Sequence, residues 1–313
     1  MLGLDSTKDF WMMPLHIPVL LNAVLTRLGC QGGVYVDGTF GAGGYTRAIL
    51  NAHPENRVIA FDRDPTVLPM VEKIQAEFGD RFTFIGDCFS RVAEYIKEPV
   101  DGFVLDIGVS SMQIDGAERG FSFRLDGPLD MRMSGQGISA ADVVNFKGEK
   151  ELADILYAYG QEKQSRRIAK AIVQNRPIQT TGELVNVIHS VMPRPKDGSD
   201  SAMRSFQALR IFVNDELGEL QRALKASIDI LKPQGRLVVV SFHSLEDKIV
   251  KDFLKQNAAP KKHQNKYAKN QETTDKFFIV PEKEIVMADE NELQKNSRAH
   301  SAKLRWAIRT EVK

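Results

Sequence analysis

Cysteine and long apolar runs are both scarce in this chain of 313 residues. Its two cysteines, Cys30 and Cys88, are too few for a disulfide framework and are typical of a reducing compartment. No apolar run approaches the roughly 18 residues that a membrane-spanning helix needs. The first residues also lack the basic and then apolar pattern of a secretory signal. We therefore expect a cytoplasmic protein without a membrane partner.

An excess of charge of one sign is absent as well. The 42 lysines and arginines almost balance the 41 aspartates and glutamates, so overall charge neither favours nor excludes a nucleic-acid partner. Hydrophobic residues make up 42% of the chain, which is enough for one large domain or two smaller ones, each with its own core. Nothing in the composition indicates an oligomeric state.

The glycine-rich segment of residues 34–45 lacks one feature of a dinucleotide-binding loop. A short β-branched run ends at Asp37 and turns through four glycines into a helical pattern: Gly38, Gly41, Gly43 and Gly44. Thr46 stands where the third glycine of G-x-G-x-x-G belongs. A carboxylate beside a pyrophosphate would repel it by roughly 4 kcal/mol at 4 Å. The loop suits a cationic ligand such as S-adenosylmethionine, and the alternative is a tight turn without a ligand.

Four strand-like runs come early, and each ends in an aspartate: residues 34–37, 58–62, 82–87 and 103–106. Helical patterns over residues 45–52 and 65–78 separate them, which predicts βαβ units and a parallel sheet of the α/β class. Ligands of open α/β sheets bind at the carboxyl ends of the strands, so the four acids should meet at one rim. Helix N-capping explains any one of these acids well, but it explains all four less well.

A long insertion separates the fourth strand from the fifth, which we predict at residues 236–242. Its apolar spacing is helical over residues 151–160, 164–176 and 183–192, and one long helix is predicted from Phe206 to Leu231. We therefore expect a discontinuous sheet domain of residues 1–112 and 212–313 and an inserted, all-helical domain of residues 113–211. Residues 251–276, with seven lysines and three acids, are predicted to form a mobile loop. Residues 277–280 and 303–310 are predicted closing strands.

Several side chains at the predicted rim have the chemistry of a cofactor site. Asp62 can accept both hydrogens of a ribose diol, and Phe89 can lie against an adenine ring. Asp106 occupies the position where methyltransferases acting on amines carry an acid or amide, but the Pro-Pro-aromatic that follows in those enzymes is missing. His243, at the end of the fifth strand, is a candidate proton acceptor. A structural histidine is an equally good interpretation.

The loop of residues 119–133 combines aromatic residues and arginines. Phe121 or Phe123 could stack on an unpaired base, while Arg124 and Arg132 could hold flanking phosphates. The alternative is that this loop packs the inserted domain onto the sheet.

Nine segments together resemble one known family. They are His16-Ile-Pro-Val-Leu20, Asp37-Gly-Thr-Phe-Gly-Ala-Gly-Gly44, Phe61-Asp-Arg-Asp-Pro65, Leu105-Asp-Ile-Gly-Val-Ser-Ser111, Glu118-Arg-Gly-Phe-Ser-Phe123, Asp126-Gly-Pro-Leu-Asp-Met-Arg-Met133, Ser205-Phe-Gln-Ala-Leu-Arg-Ile211, Ser241-Phe-His-Ser-Leu-Glu-Asp247 and Ser301-Ala-Lys-Leu-Arg305. In these residues the chain closely resembles the bacterial 16S ribosomal RNA cytosine-N4 methyltransferase family, also called MraW or RsmH.

The resemblance implies a class I, Rossmann-like methyltransferase sheet with an inserted helical domain. It also implies S-adenosylmethionine-dependent methylation of a cytosine N4 amine in the decoding region of 16S rRNA, within the small ribosomal subunit and without a metal. Carried over by position, the implied cofactor contacts are Gly43, Gly44, Tyr45, Asp62, Phe89, Asp106 and Gln113. Because many members have histidine in place of Tyr45, we expect its backbone to matter more than its side chain.

Three other functions remain as alternatives at this point. An NAD-dependent oxidoreductase fits the sheet, although Asp37 and the missing third glycine argue against it. A non-catalytic ribosome-assembly factor could retain the cofactor pocket. A DNA amino-methyltransferase is disfavoured by the missing Pro-Pro-aromatic.

Overall fold

A seven-stranded sheet forms the centre of the molecule. The computed structural model describes residues 18–192, 200–258, 276–281 and 285–312. The strands are β1 (Gly33–Asp37), β2 (Asn56–Phe61), β3 (Phe82–Ile85), β4 (Val100–Asp106), β5 (Leu231–Ser241), β6 (Phe278–Ile279) and β7 (Lys303–Arg309). Their order is β3-β2-β1-β4-β5-β7-β6. The strands β1 to β5 are parallel, whereas β7 is antiparallel to both of its neighbours.

All seven predicted strands are therefore confirmed, with ends shifted by a few residues. The parallel pairing places Asp37 beside Val104, and Asp106 beside Val240, so the carboxyl ends of β1, β4 and β5 share one edge of the sheet. From β1 the strand order runs outward in one direction to β2 and β3, and in the other direction to β4 and β5. The crevice between β1 and β4 is therefore the topological switch point, where α/β folds bind ligands.

Helices cover both faces of the sheet. On one face lie α1 (Leu21–Leu28), α2 (Gly44–Ala52) and α3 (Leu68–Phe78), and on the other lie α4 (Val92–Tyr95), α11 (Glu216–Ile230) and α12 (Ser244–Asn257). Alternate strand residues belong to the two layers: Tyr35 packs with the first group, and Val36 with the second. Both faces are therefore buried, as a mostly parallel sheet requires.

The region between β4 and β5 builds a third hydrophobic core. Its helices are α5 (Ser111–Asp115), α6 (Ala140–Phe146), α7 (Glu149–Gly160), α8 (Ser165–Gln174), α9 (Thr181–Val191) and α10 (Met203–Asn214). Buried residues from Phe121 to Leu209 pack together separately from the two sheet layers. This supports the predicted inserted unit, whose boundaries at 113 and 211 stay a prediction.

The single long helix predicted from Phe206 to Leu231 is wrong. The structure has two helices, because Asp215 adopts a left-handed conformation with φ of 48° between α10 and α11. The apolar stripe continues across the break, but its halves face different cores: Phe206 packs within the insert and Leu220 against the sheet. The helical periodicity of the apolar residues is therefore present in both helices, but the chain changes direction at Asp215.

The predicted loop of residues 251–276 is partly wrong as well. Helix α12 continues through Asn257, and it buries Val250 and Leu254 against the sheet. Residues 259–275 lie outside the described residues. One further helix, α13 (Glu290–Lys295), precedes β7. Among the described residues, no helix is both long and apolar enough to cross a membrane.

Candidate active site

The loop after β1 is organised around a buried acid. Asp37 is fully buried, and its carboxylate accepts hydrogen bonds from the Thr46 hydroxyl at 2.7 Å and the Thr39 N–H at 3.1 Å. Thr46, at the place of a third glycine, is therefore the partner of Asp37. Burial raises the pKa of Asp37 to about 6, and the bonds from Thr46 and Thr39 oppose the rise. Asp37 thus fixes the conformation of the loop and places a buried acidic group inside it.

The glycines of this loop are fixed by close packing. Gly43 has φ of 77°, and a Cβ there would lie 2.3 Å from Cδ1 of Ile74. A Cβ on Gly44 would lie 2.2 Å from Cγ of Pro18. Gly41 donates its N–H to Asp62 at 2.8 Å. Only glycine fits this path, which brings the start of α2 to the rim.

Asp62 follows β2, as predicted for a ribose-binding acid. Its two carboxyl oxygens accept the N–H groups of Gly41 and Asp64, at 2.8 and 2.9 Å. Burial raises the pKa of Asp62, and these two hydrogen bonds oppose the rise. Each oxygen keeps a lone pair, so the carboxylate can still accept from a diol.

Asp106 is the least satisfied acid at the rim. Its Oδ1 is buried and has no hydrogen-bond partner among the described residues. Burial raises the pKa of Asp106 well above its usual value, and the nearby carboxylates of Asp37 and Glu246 raise it further. An unpaired buried oxygen beside two other acids favours a ligand that brings positive charge or a hydrogen-bond donor.

His243 lies at the same rim but is engaged by its own helix. Its Nδ1 accepts the N–H of Glu246 at 3.4 Å, and the Glu246 carboxylate accepts the N–H groups of Phe242 and His243 in return. This capping box begins α12. Nε2 of the ring lies 3.0 Å from Oε1 of Glu246, but neither atom forms a hydrogen bond among the described residues. His243 is therefore the N-cap of α12, and its predicted role as proton acceptor stays a prediction.

A buried ionic cluster lies behind His243. Ligand atoms of Glu216, His243 and Glu246 come within 4.8 Å of one another, close enough to surround a cation. The Arg210 guanidinium, however, already makes two hydrogen bonds of 2.8 Å to Glu216. We assign the cluster to an ion-pair network that joins α10 and α11 to the end of β5.

The remaining predicted cofactor residues lie around the same edge. The Tyr45 side chain is buried and donates its hydroxyl hydrogen to the Val19 carbonyl, so the phenol is occupied, as expected. Phe89 packs its Cβ near Gly38, the first glycine after β1. Gln113 is buried and donates to Asp64 at 2.7 Å, while its Oε1 accepts the Ser110 N–H. Contact of these residues with the cofactor stays a prediction.

The predicted RNA-contacting residues differ in how accessible their side chains are. Phe121 is only 8% exposed and belongs to the core of the insert, which argues against the predicted base stacking. Phe123 is half-buried, with the exposed Arg124 guanidinium 5.5 Å from its ring centroid. Arg132 is held by Asp130 through an ion pair of 2.6 Å, so a phosphate would have to compete with that acid. Phe123 and Arg124 remain the accessible pair.

Sequence reasoning missed the ion pair that joins the insert to the rim. Arg119 contacts Asp64 at 2.9 Å, and Asp64 is only 2% exposed. Burial opposes ionisation of Asp64, but hydrogen bonds from Arg119, Thr66 and Gln113 lower its pKa overall. Both residues lie in segments that the sequence had singled out, yet no spacing rule links positions 55 residues apart.

A glycine loop after β1, acids at the ends of β1, β2 and β4, and an antiparallel β7 between β5 and β6 define the class I S-adenosylmethionine-dependent methyltransferases. More narrowly, the chain belongs to the MraW methylase family, whose model matches residues 13–310.

Close relatives share most of the length of the chain. It is 51% identical over 301 residues to a ribosomal RNA small subunit methyltransferase H of Cereibacter sphaeroides, covering 95% of this chain and 91% of the relative. A protein of the same name from Methylobacterium sp. is 52% identical over 308 residues, with 95% and 91% covered. The one from Rickettsia massiliae is 50% identical over 303 residues, with 95% and 98% covered.

Proposed function

We propose that this protein transfers a methyl group from S-adenosylmethionine to the exocyclic N4 amine of a cytosine in the decoding region of 16S rRNA, within the small ribosomal subunit. The relatives at about 50% identity are named ribosomal RNA small subunit methyltransferase H, and the resemblance in nine segments implies the cytosine N4 target. The observation that carries the proposal at the site is the unpaired, buried Oδ1 of Asp106.

The residues at the rim fit a cationic cofactor. The pKa values of Asp37, Asp62 and Asp106 are raised mainly by burial, and in each case a neighbouring carboxylate raises them further. A positive charge brought among them relieves both penalties. Gly43 and Gly44 would approach the methionine part, Asp62 the ribose, and Phe89 the adenine ring. When bound, S-adenosylmethionine supplies an electrophilic methyl on a positively charged sulfur.

The cytosine amine is a weak nucleophile because its lone pair is delocalised into the ring. Holding the amine in line with the methyl supplies a proximity effect of up to roughly 7–11 kcal/mol. Asp106 would accept a hydrogen bond from the amine, which stabilises the positive charge that develops on nitrogen. A backbone carbonyl near Gly108, which has φ of 123°, is the alternative candidate acceptor after the end of β4.

The direct test is methyl transfer to three substrates. Labelled S-adenosylmethionine is incubated with small ribosomal subunits from cells lacking this activity, with free 16S rRNA, or with duplex DNA, and the nucleosides are identified by mass spectrometry. We expect N4-methylcytidine from the ribosomal particle. Cofactor binding without transfer to any substrate would overturn the proposal in favour of an assembly factor, and N4-methylcytosine in DNA would favour a DNA enzyme.

A further inference from the structure

The outer face of α8 concentrates positive charge. Between Glu162 and Glu183 the chain has five basic residues and no acidic residue. Four of the five are exposed, and we call them the basic face of α8: Lys163, Arg166, Arg167 and Lys170. The charge of the whole chain is balanced, so this segregation is local.

Folding stability does not explain the basic face. Across the described ranges, none of the four side chains forms an ion pair with an acidic residue. Arg166 and Arg167 lie in the first turn of α8, where the helix dipole disfavours cations, and that turn has no acid. Lys170 lies one turn further along the same surface, where like charges repel. Since the arrangement weakens the helix, it points to an anionic partner.

The basic face begins beside the active-site rim. Gln161, in the loop between α7 and α8, accepts a hydrogen bond of 3.0 Å from the hydroxyl of Ser244, the first residue of α12 after the end of β5. Glu162 is only 5% exposed and fixes the loop by accepting the N–H of Gln164 at 2.8 Å. Lys163 therefore follows two residues after a contact with the rim, on a loop of defined conformation.

We propose that the basic face of α8 binds phosphate groups of the ribosomal RNA strand that flanks the target nucleotide. The inference rests on the proposed function, which makes RNA the substrate. A nucleotide that reaches the rim brings its flanking phosphates past Lys163, and arginine and lysine bind phosphates without reading sequence. An acidic ribosomal protein would also suit a basic surface. RNA is favoured because it must already be at the rim during the reaction.

The test compares two variants with the same change in net charge. The first is Arg166→Glu, Arg167→Glu and Lys170→Glu together. The control replaces Lys225, Lys251 and Lys255, exposed lysines of α11 and α12, with glutamate. Binding to small subunits and to protein-free 16S rRNA is measured between 50 and 200 mM KCl, as is the KM for methyl transfer. Circular dichroism and the affinity for S-adenosylmethionine establish that both variants are folded.

We expect the RNA affinity of the α8 variant to fall at least tenfold and its KM to rise by a similar factor, with kcat at saturating substrate within about threefold of the wild type. Each lost phosphate contact should reduce the slope of log K against log salt by about 0.7 to 0.9. The control should change neither the affinity nor the slope to that extent. Equal losses in both variants would overturn the proposal in favour of a net-charge effect.

Two further outcomes separate this inference from the proposed function. Lost binding to subunits with unchanged binding to protein-free rRNA would overturn the proposal and identify a ribosomal protein as the partner. If the wild type makes no N4-methylcytidine, the proposed function fails, yet the binding comparison still tests the basic face of α8. If the wild type methylates the RNA and the α8 variant binds it with unchanged affinity and salt slope, the proposed phosphate contacts of α8 are wrong and the proposed function stands.

Discussion

At the scale of single residues, the carboxyl groups of the rim divide into satisfied and unsatisfied ones. Asp37 has two partners and Asp62 has two, whereas one oxygen of Asp106 has none. Asp87, which also follows a strand, is bound by Arg91 at 2.6 Å and lies partly in solvent. Asp106 is therefore the acid whose environment changes most when a ligand arrives.

Asp106→Asn should depress turnover more than cofactor affinity. The amide keeps the size of the side chain but removes the charge that stabilises the developing positive charge on nitrogen, so we expect kcat to fall by about 10²-fold or more. Single-turnover transfer and equilibrium binding of S-adenosylmethionine measure the two effects. Asp87→Asn is the matched control and should change kcat little. Equal losses of kcat and affinity would make Asp106 a cofactor ligand only.

Asp37→Asn should change the pH dependence of stability. The pKa of Asp37 is raised from 3.8 to about 6, so its contribution to stability is complete below about pH 4 and lost as pH rises through 6. The stability of the cofactor-free variant relative to the wild type should therefore rise between pH 4 and pH 8, by on the order of 2–3 kcal/mol. Urea unfolding at both pH values measures this. A difference independent of pH would contradict the assigned pKa.

At the scale of elements, the sequence predicted what periodicity and turn residues encode. The alternation of strands and helices, the capping box at Thr180 and the closing strands were all read correctly. The break at Asp215 was not, because no glycine or proline marks it and an aspartate can adopt αL when its surroundings require it. What imposes the break is tertiary: α10 and α11 pack on different cores.

For the candidate site, too, some features could be predicted from the sequence and others could not. Its location at the strand ends followed from the alternation of elements, and the cofactor class followed from Asp37 and the glycines. The capping role of His243 was missed, although its spacing to Glu246 is that of a capping box and gave a readable signal. The pairing of Arg210 with Glu216 crosses the unexpected break, so it could not be seen before the break was known.

Arg210→Ala should destabilise the protein by about 3–5 kcal/mol, because it leaves Glu216, at 4% exposure, as an unpaired buried charge. Replacing both partners, as in Arg210→Met with Glu216→Leu, should recover much of this loss. Urea unfolding of the single and double variants forms the mutant cycle. Additive losses in the double variant would show that the two charges do not act as a pair.

At the scale of the whole molecule, the insert and the sheet are joined by a few polar contacts at the rim. Arg119 binds Asp64, and Arg63 donates to the Asn214 carbonyl at 2.9 Å. The insert keeps its own hydrophobic core, so its docking and its folding are separate properties. Contacts at this edge of the sheet therefore control the placement of the insert.

Arg119→Met should loosen this docking without unfolding the sheet. We expect faster amide hydrogen exchange in α6 to α9 and unchanged exchange in β1, β4 and β5, because exchange reports local opening. Arg124→Met, in the same loop but on an exposed arginine, is the control and should leave both regions unchanged. Uniformly faster exchange throughout the chain would indicate global destabilisation instead of separate docking.

The position of β7 has a consequence for how the chain acquires its structure during translation. Lys303 pairs with Ser241, 62 residues earlier, and β7 then separates β5 from β6. While the ribosome is still adding those residues, β5 has a bare edge of unpaired N–H and C=O groups. Such an edge invites pairing with another nascent chain, and non-local pairing of this kind folds slowly. The sheet that supports the site is completed only after the residues of β7 have been synthesised.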